Sequence, residues 1–167
     1  MCCTIIPMFK HVFGREYDDG NMDDRILIQK NTYMLEWMGL NLGNFRFLWD
    51  TYGPYSLDLK GVIQEELSDS DKNGPALSVY AQDKVVSIKT VLEEGVEMNQ
   101  PERFWLELIC SIHFLKQNIV KDRKYLLEEL QIRKQHFNNR EVNERALDIV
   151  NSIDELGQYY GNGNVAA

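Results

Sequence analysis

Two short stretches of this chain carry residue types at spacings that suit chemistry. Cys110 and His113 stand three residues apart, so on a helix they share a face and a thiol lies within reach of a base. That is the spacing a Cys/His hydrolase needs, and it is the least favoured functional reading. The same segment, from Phe104 to Ile119, is apolar enough to form core, where a free cysteine packs as an inert residue. The second stretch, Asp69-Ser70-Asp71-Lys72-Asn73-Gly74, alternates oxygen donors and ends in a turn glycine, as the first half of a calcium loop does. Its twelfth position is Tyr80, which offers no carboxylate, and Pro75 follows the glycine directly. Asp69, Asp71 and Asn73 therefore make a weak cation loop at best, and a solvated turn is the preferred expectation. His11 and His136 are isolated and fit no zinc spacing. The acid pairs Glu65-Glu66, Glu93-Glu94 and Glu128-Glu129 are sequence neighbours, which point apart on a helix. With no glycine-rich phosphate loop and no nucleophile elbow, we expect no catalytic residue, no metal, no cofactor and no enzymatic activity.

The most distinctive segment is Tyr52-Gly53-Pro54-Tyr55-Ser56. Pro54 fixes its own φ and moves Gly53 out of the right-handed helical region, and Ser56 is suited to cap a following helix. Tyr52 and Tyr55 display amphipathic rings from this restrained turn. Packing beneath the turn is the favoured role, and direct contact with a partner is the functional one. The elements that must hold the turn are legible on either side. Phe45, Phe47 and Trp49 alternate with Arg46, Leu48 and Asp50, which predicts a short strand with one buried face. Leu59, Val62, Ile63 and Leu67 predict a helix over 57–67. Upstream, apolar residues from Ile26 to Met38 recur at helical steps behind Asp23 and Asp24, which predicts a helix over 24–38 that begins at those acids and ends before Gly39. Lys30 lies one turn before Met34 on that apolar helix, beside Tyr33. It is expected to pair with an acid at the edge of the core, the other role being contact with a ligand.

Further helices are expected up to Glu94 with Gly95 as the stop, from Pro101 through the apolar run to Ile119, over 125–137, and over 141–156 with Gly157 as the stop. The reading is mainly α: a compact single-domain bundle of about six helices with a small β element, winged-helix-like in its N-terminal half. Residues 1–22 are expected to be an irregular arm and 158–167 a flexible tail. The length of 167 residues is sufficient to bury a core without disulfides or metal. Three cysteines form no disulfide framework, and no run approaches a membrane span, so the expected location is a reducing cytoplasm. The formal net charge of -8 opposes binding to phosphate backbones. Within 57–67 only Lys60 is basic, against Asp58, Glu65 and Glu66.

The order Leu27-Ile28-Gln29-Lys30, Tyr33-Met34-Leu35, Gly39, Phe47 and Tyr52-Gly53-Pro54-Tyr55-Ser56 resembles the YwgA-like family and, more distantly, the Panacea domain of SocA-type antitoxins. The later Glu107-Leu108-Ile109-Cys110-Ser111-Ile112-His113-Phe114-Leu115 is similar to another helix of the YwgA-like pattern. Ile28, Asn31 and the polar loop at 68–74 depart from it. The resemblance implies a mainly helical protein of prokaryotes or their phages and mobile elements, with Panacea members acting as toxin-neutralising partners. The leading expectation is thus a non-enzymatic protein-interaction module, antitoxin-like or acting in phage-host conflict, whose partner is a cognate toxin or host factor. A nucleic-acid-associated regulator is the second reading, homo-oligomerisation is a further arrangement, and no membrane is involved. The candidate partner-contact or fold-defining residues are Lys30, Tyr33, Trp49, Tyr52, Gly53, Pro54, Tyr55 and Ser56.

Overall fold

The computed structural model describes residues 4–69 and 74–161. Its elements run α1 (Ile5–Phe13), α2 (Met22–Trp37), β1 (Leu48–Asp50), β2 (Gly53–Tyr55), α3 (Leu57–Ser68), α4 (Val79–Glu97), α5 (Glu102–Asn118), α6 (Arg123–Arg133) and α7 (Arg140–Leu156). The protein is mainly α with a small β element, as the patterning predicts, and has seven helices among the described residues.

The extra helix is α1, in the segment expected to be an irregular arm. Pro7 sits in its first turn, where an intrahelical donor is not needed. The helix lacks a cap of its own; instead the Glu66 carboxylate of α3 accepts from the backbone N–H groups of Thr4, Ile5 and Ile6 at 2.7, 3.0 and 2.9 Å. A negative group there also complements the helix dipole. Ile5, Met8, Phe9 and Val12 are buried along one face.

Helices α2 and α5 form the centre. Every residue from Ile26 to Leu35 and from Trp105 to His113 is buried, and α5 packs against α2, α4, α6, α7 and β2. A helix covered on all sides has no solvent face on which to place its polar residues. Gln29, Lys30, Asn31 and Thr32 are therefore buried among Leu27, Ile28 and Met34. Gly95, expected to stop α4, lies inside it: a Cβ there would meet the Trp105 ring at 2.5 Å, so the glycine permits α4 and α5 to approach. The Trp105 indole donates to the carbonyl of Val91 at 2.7 Å across the same contact.

Helix ends follow local capping chemistry. Asn21, rather than Asp23, caps α2 by accepting from the N–H groups of Asp23 and Asp24. Ser56 caps α3 through the N–H of Leu59 at 3.2 Å, as expected. Helix α6 stops at Arg133, short of the expected Phe137. Gly157 ends α7, yet the chain beyond it is anchored. Tyr159 is buried, its hydroxyl donating to Glu94 at 2.6 Å and accepting from Arg145, while its N–H donates to Ser87 Oγ. The expected flexible tail is thus corrected at Tyr159; residues 162–167 lie outside the described residues.

Strands β1 and β2 pair antiparallel with Leu48 opposite Tyr55, Trp49 opposite Pro54 and Asp50 opposite Gly53. The expected alternation holds, with Phe45, Phe47 and Trp49 half-buried and Arg46, Leu48 and Asp50 exposed. Pairing is limited to three residues because β2 is only that long. The hairpin precedes α3 and packs on α2 and α5. Among the described residues no helix is long and apolar enough to cross a membrane.

Candidate functional site

The hairpin is fixed from the interior by side chains of α2, of α5 and of the residue that follows α6. From α2, the Gln29 amide makes two bonds to Ser56, accepting from its N–H at 2.9 Å and donating to its carbonyl at 3.0 Å. The next residue, Lys30, donates through Nζ to the Pro54 carbonyl at 2.8 Å. Proline lacks an N–H but keeps a carbonyl, so a β-strand containing it still accepts. Just after α6, Lys134 donates to the Thr51 carbonyl at the other end of the turn. From α5, Ser111 closes the space beneath Gly53, whose φ is +85°; a Cβ there would come within 2.5 Å of Ser111 Oγ. Gly53 thus meets two demands at once, a left-handed backbone and close approach to a buried helix.

Two clefts flank the turn, and Tyr52 lines both. One, of about 550 Å³, opens between α2, the hairpin and α3. Ile26, Ile28 and Ile63 give it apolar wall, Tyr52 and Tyr55 give it rings, and Lys30 lines its inner side. The other, of about 560 Å³, lies between the turn, α5 and the end of α6, with Arg103, Lys134 and His136 around Glu107. Glu107 is only 1 % exposed and receives a hydrogen bond from Lys134 at 3.0 Å, with His136 Nε2 at 3.6 Å and Arg103 at 3.9 Å. The Arg103 guanidinium also lies 5.5 Å from the centre of the Tyr52 ring.

Lys30 has a different setting. It is 1 % exposed, and among the described residues no carboxylate lies within 4 Å of it. The expected acid partner is therefore corrected: its hydrogen-bond acceptor is a main-chain carbonyl. Burial draws its pKa down to about 8, against the more distant pull of the Glu107 and Asp50 carboxylates.

Tyr33 faces away from this site, into a second cluster that runs from the core to the surface. Its hydroxyl lies 2.6 Å from His113 Nδ1, and the other ring nitrogen, Nε2, stands 3.4 Å from Asp154. A proton on Nε2 directed at the carboxylate leaves Nδ1 to accept from the tyrosine. Trp37 stacks on the imidazole at 3.8 Å and donates to Asp154 at 2.8 Å. Burial holds His113 below its usual pKa despite the Asp154 hydrogen bond. Partial burial pushes Asp154 up, but the hydrogen bonds from His113, Lys116 and Trp37 outweigh it and hold the carboxyl at about 2.

This geometry separates the two residues that spacing could have paired. Both nitrogens of His113 are engaged elsewhere, and the Cys110 thiol, fully buried, points to the Lys30 carbonyl at 3.8 Å. Burial pushes that thiol up to about 12, so it stays protonated.

Of the candidate residues, the structure brings Lys30, Tyr52, Gly53, Pro54, Tyr55 and Ser56 together at the hairpin and its first cleft. Trp49 lies on the opposite face, its ring centre 5.3 Å from Lys134 Nζ and 5.9 Å from the Phe114 ring. Asp69 is the C-cap of α3, while Asp71 and Asn73 lie outside the described residues. Helix α3 buries Leu59 and Ile63 and commits Glu66 to α1, leaving Lys60 as its single basic residue. Sequence reasoning missed Gln29, Glu107, Ser111 and Lys134 as residues that secure the turn. Glu107 carried a usable signal, a lone acid between Leu106 and Leu108 in an apolar run. Comparison of the chain with protein-family models, with curated proteins and with solved structures finds no match in any of the three.

Proposed function

We propose that the protein is a non-enzymatic interaction module that engages a protein partner through the hairpin Leu48–Tyr55. The observation that carries this reading is a surface turn held rigid from beneath. Lys30, Gln29 and Lys134 bind its carbonyls and flanking backbone, while Tyr52 and Tyr55 remain partly exposed and Leu48 is 56 % exposed. Leu48 and Tyr55 are directly opposed, so their side chains share one face. Aromatic and aliphatic anchors on a fixed backbone lose little conformational freedom on binding.

The net charge of -8 favours a partner with a basic face, because complementary potentials raise the encounter rate. The resemblance to Panacea-type antitoxins supports a toxin or a host factor as that partner. The test is co-expression with the product of a genetic neighbour, followed by affinity capture. Tyr52→Ala and Tyr55→Ala are each expected to weaken capture by about tenfold or more, as loss of a central aromatic anchor does, with little change in thermal midpoint. Undiminished capture by both variants would remove the hairpin from the interface. Failure to suppress the neighbour's toxicity would remove the antitoxin role.

A further inference from the structure

The cleft between α2, the hairpin and α3 is a concavity of about 550 Å³, within the range of small-molecule sites. It contains Lys30 in an electrostatic setting that is incomplete. A buried ammonium has three donors, and among the described residues only one, to the Pro54 carbonyl, is used. Taking such a charge out of water is unfavourable unless an opposite charge meets it. The acids of the cleft do not do so. Asp19 accepts hydrogen bonds from Tyr17 at 2.8 Å and from Gln64, and Asp50 acts on Lys30 only from beyond ion-pair distance. On the far side, Glu107 is committed to Lys134.

We infer that this cleft binds a small organic carboxylate, with one carboxylate oxygen beside Lys30 Nζ and the apolar body against Ile26, Ile28 and the tyrosine rings. The charge of the wall selects the class. Arg25, Lys30 and Lys60 stand against Asp19 and Asp50, which leaves one positive charge to be matched by a monoanion, where a phosphate dianion would leave an excess. The three isoleucines favour a ligand with an apolar body over an inorganic ion. The site goes beyond the proposed contact of the hairpin with a protein; it shares the Tyr52 and Tyr55 rings with that contact but is argued from Lys30 and the isoleucine wall.

Carboxylate binding also fixes a pH dependence. Burial draws the Lys30 pKa down to about 8, and an adjacent anion favours its charged form. Binding therefore raises the Lys30 pKa, and affinity falls by about tenfold per pH unit between the free and the bound values. The other groups acting on Lys30 are Asp50 from the hairpin, Glu107 and Cys110 from α5, and Lys134. Cys110 stays neutral through this range, with its thiol at about 12.

The experiment is calorimetric titration of the full chain with benzoate, and separately with inorganic phosphate, near neutral pH and again about two units higher. The expected result is benzoate binding at millimolar concentration or below, weakened by about five- to tenfold at the higher pH, abolished in Lys30→Met, with no heat from phosphate. In the unmodified chain, NMR of the lysine ε positions is expected to show the Lys30 midpoint rising by about one unit or more in saturating benzoate. An unmoved Lys30 midpoint, equal benzoate binding by Lys30→Met, or phosphate binding in preference would each overturn the assignment. None of these readouts involves a protein partner, so they succeed or fail separately from capture by the hairpin.

Discussion

Lys30 and Lys134 reach the hairpin from opposite sides and each donates to one of its carbonyls, at Pro54 and Thr51. Their exposures are almost the same, 1 % and 4 %. Their charges are met differently. Lys134 has the Glu107 carboxylate at 3.0 Å, so its ammonium is neutralised within the fold. Lys30 has a carbonyl dipole and a cleft. The first arrangement is structurally complete, whereas the second places an unmet charge next to a space large enough for a ligand. The two lysines are thus distinguished by their counter-ions, and burial alone does not separate them.

The largest expected effect comes from making the complete lysine resemble the incomplete one. Glu107→Gln leaves Lys134 without its counter-charge, and urea unfolding should show a loss of about 3–5 kcal/mol. An unchanged midpoint would mean that Glu107 does not neutralise Lys134, and the contrast would collapse. Next is the glycine on which the turn depends. Gly53→Val forces a β-branched residue to a φ of +85° and sets its Cβ against Ser111 Oγ, an expected loss of about 3 kcal/mol. Ser111→Ala should return part of that loss in the double variant, because it removes the atom nearest the new Cβ.

A gain is expected from Lys30→Met, which replaces an unmet buried charge by an apolar side chain of similar length. At neutral pH the variant should be more stable by about 2 kcal/mol, less what is lost with the Pro54 hydrogen bond. The sign of the pH dependence follows from the lowered pKa. Between about 8 and the ordinary value of 10.5 the unfolded chain holds a proton that the folded chain has released. The unmodified protein therefore gains stability as pH rises through that window, and the advantage of the variant shrinks. Denaturant titrations at successive pH values check this, and a constant difference would refute it.

The smallest effect lies outside the hairpin. Tyr33→Phe withdraws the donor to His113 and should cost about 1–2 kcal/mol. His113 is held below its ordinary pKa of 6.5, so it binds a proton more readily when unfolded. Its contribution to stability is present above that pH and is lost as pH falls below it. A stability curve of the unmodified protein should decline below 6.5, and His113→Gln should flatten that limb.

The legible parts of the fold were those encoded locally. The alternation of Phe45, Phe47 and Trp49, the Ser56 cap, the glycine stop at Gly157 and the apolar run of α5 each depend on near neighbours in sequence, and each is present. The Tyr52–Ser56 segment was recognisable as restrained because glycine and proline act on the backbone directly, but it reads as a turn, and Gly53–Tyr55 instead pair with Leu48–Asp50 as strand β2. What was not legible depended on distant residues. Gly95 resembles a helix stop until Trp105 is placed against it. Lys30 on an apolar helix suggests an acid partner, but α5 and the hairpin cover it first and offer a carbonyl. Nothing near Lys134 in sequence announces that it reaches Thr51, eighty-three residues away.

The Glu66 carboxylate at the start of α1 has a consequence for the order in which the chain acquires structure. As the polypeptide leaves the ribosome, α1 emerges with its first N–H groups unmet, and the residue that satisfies them follows about sixty positions later. A nine-residue helix is marginal in isolation. The opening segment therefore waits, and its apolar stripe of Ile5, Met8, Phe9 and Val12 stays available to other surfaces until α3 has been synthesised. Synthesis paused before Glu66 would prolong that interval, and with it the time for which this apolar stripe is open to aggregation.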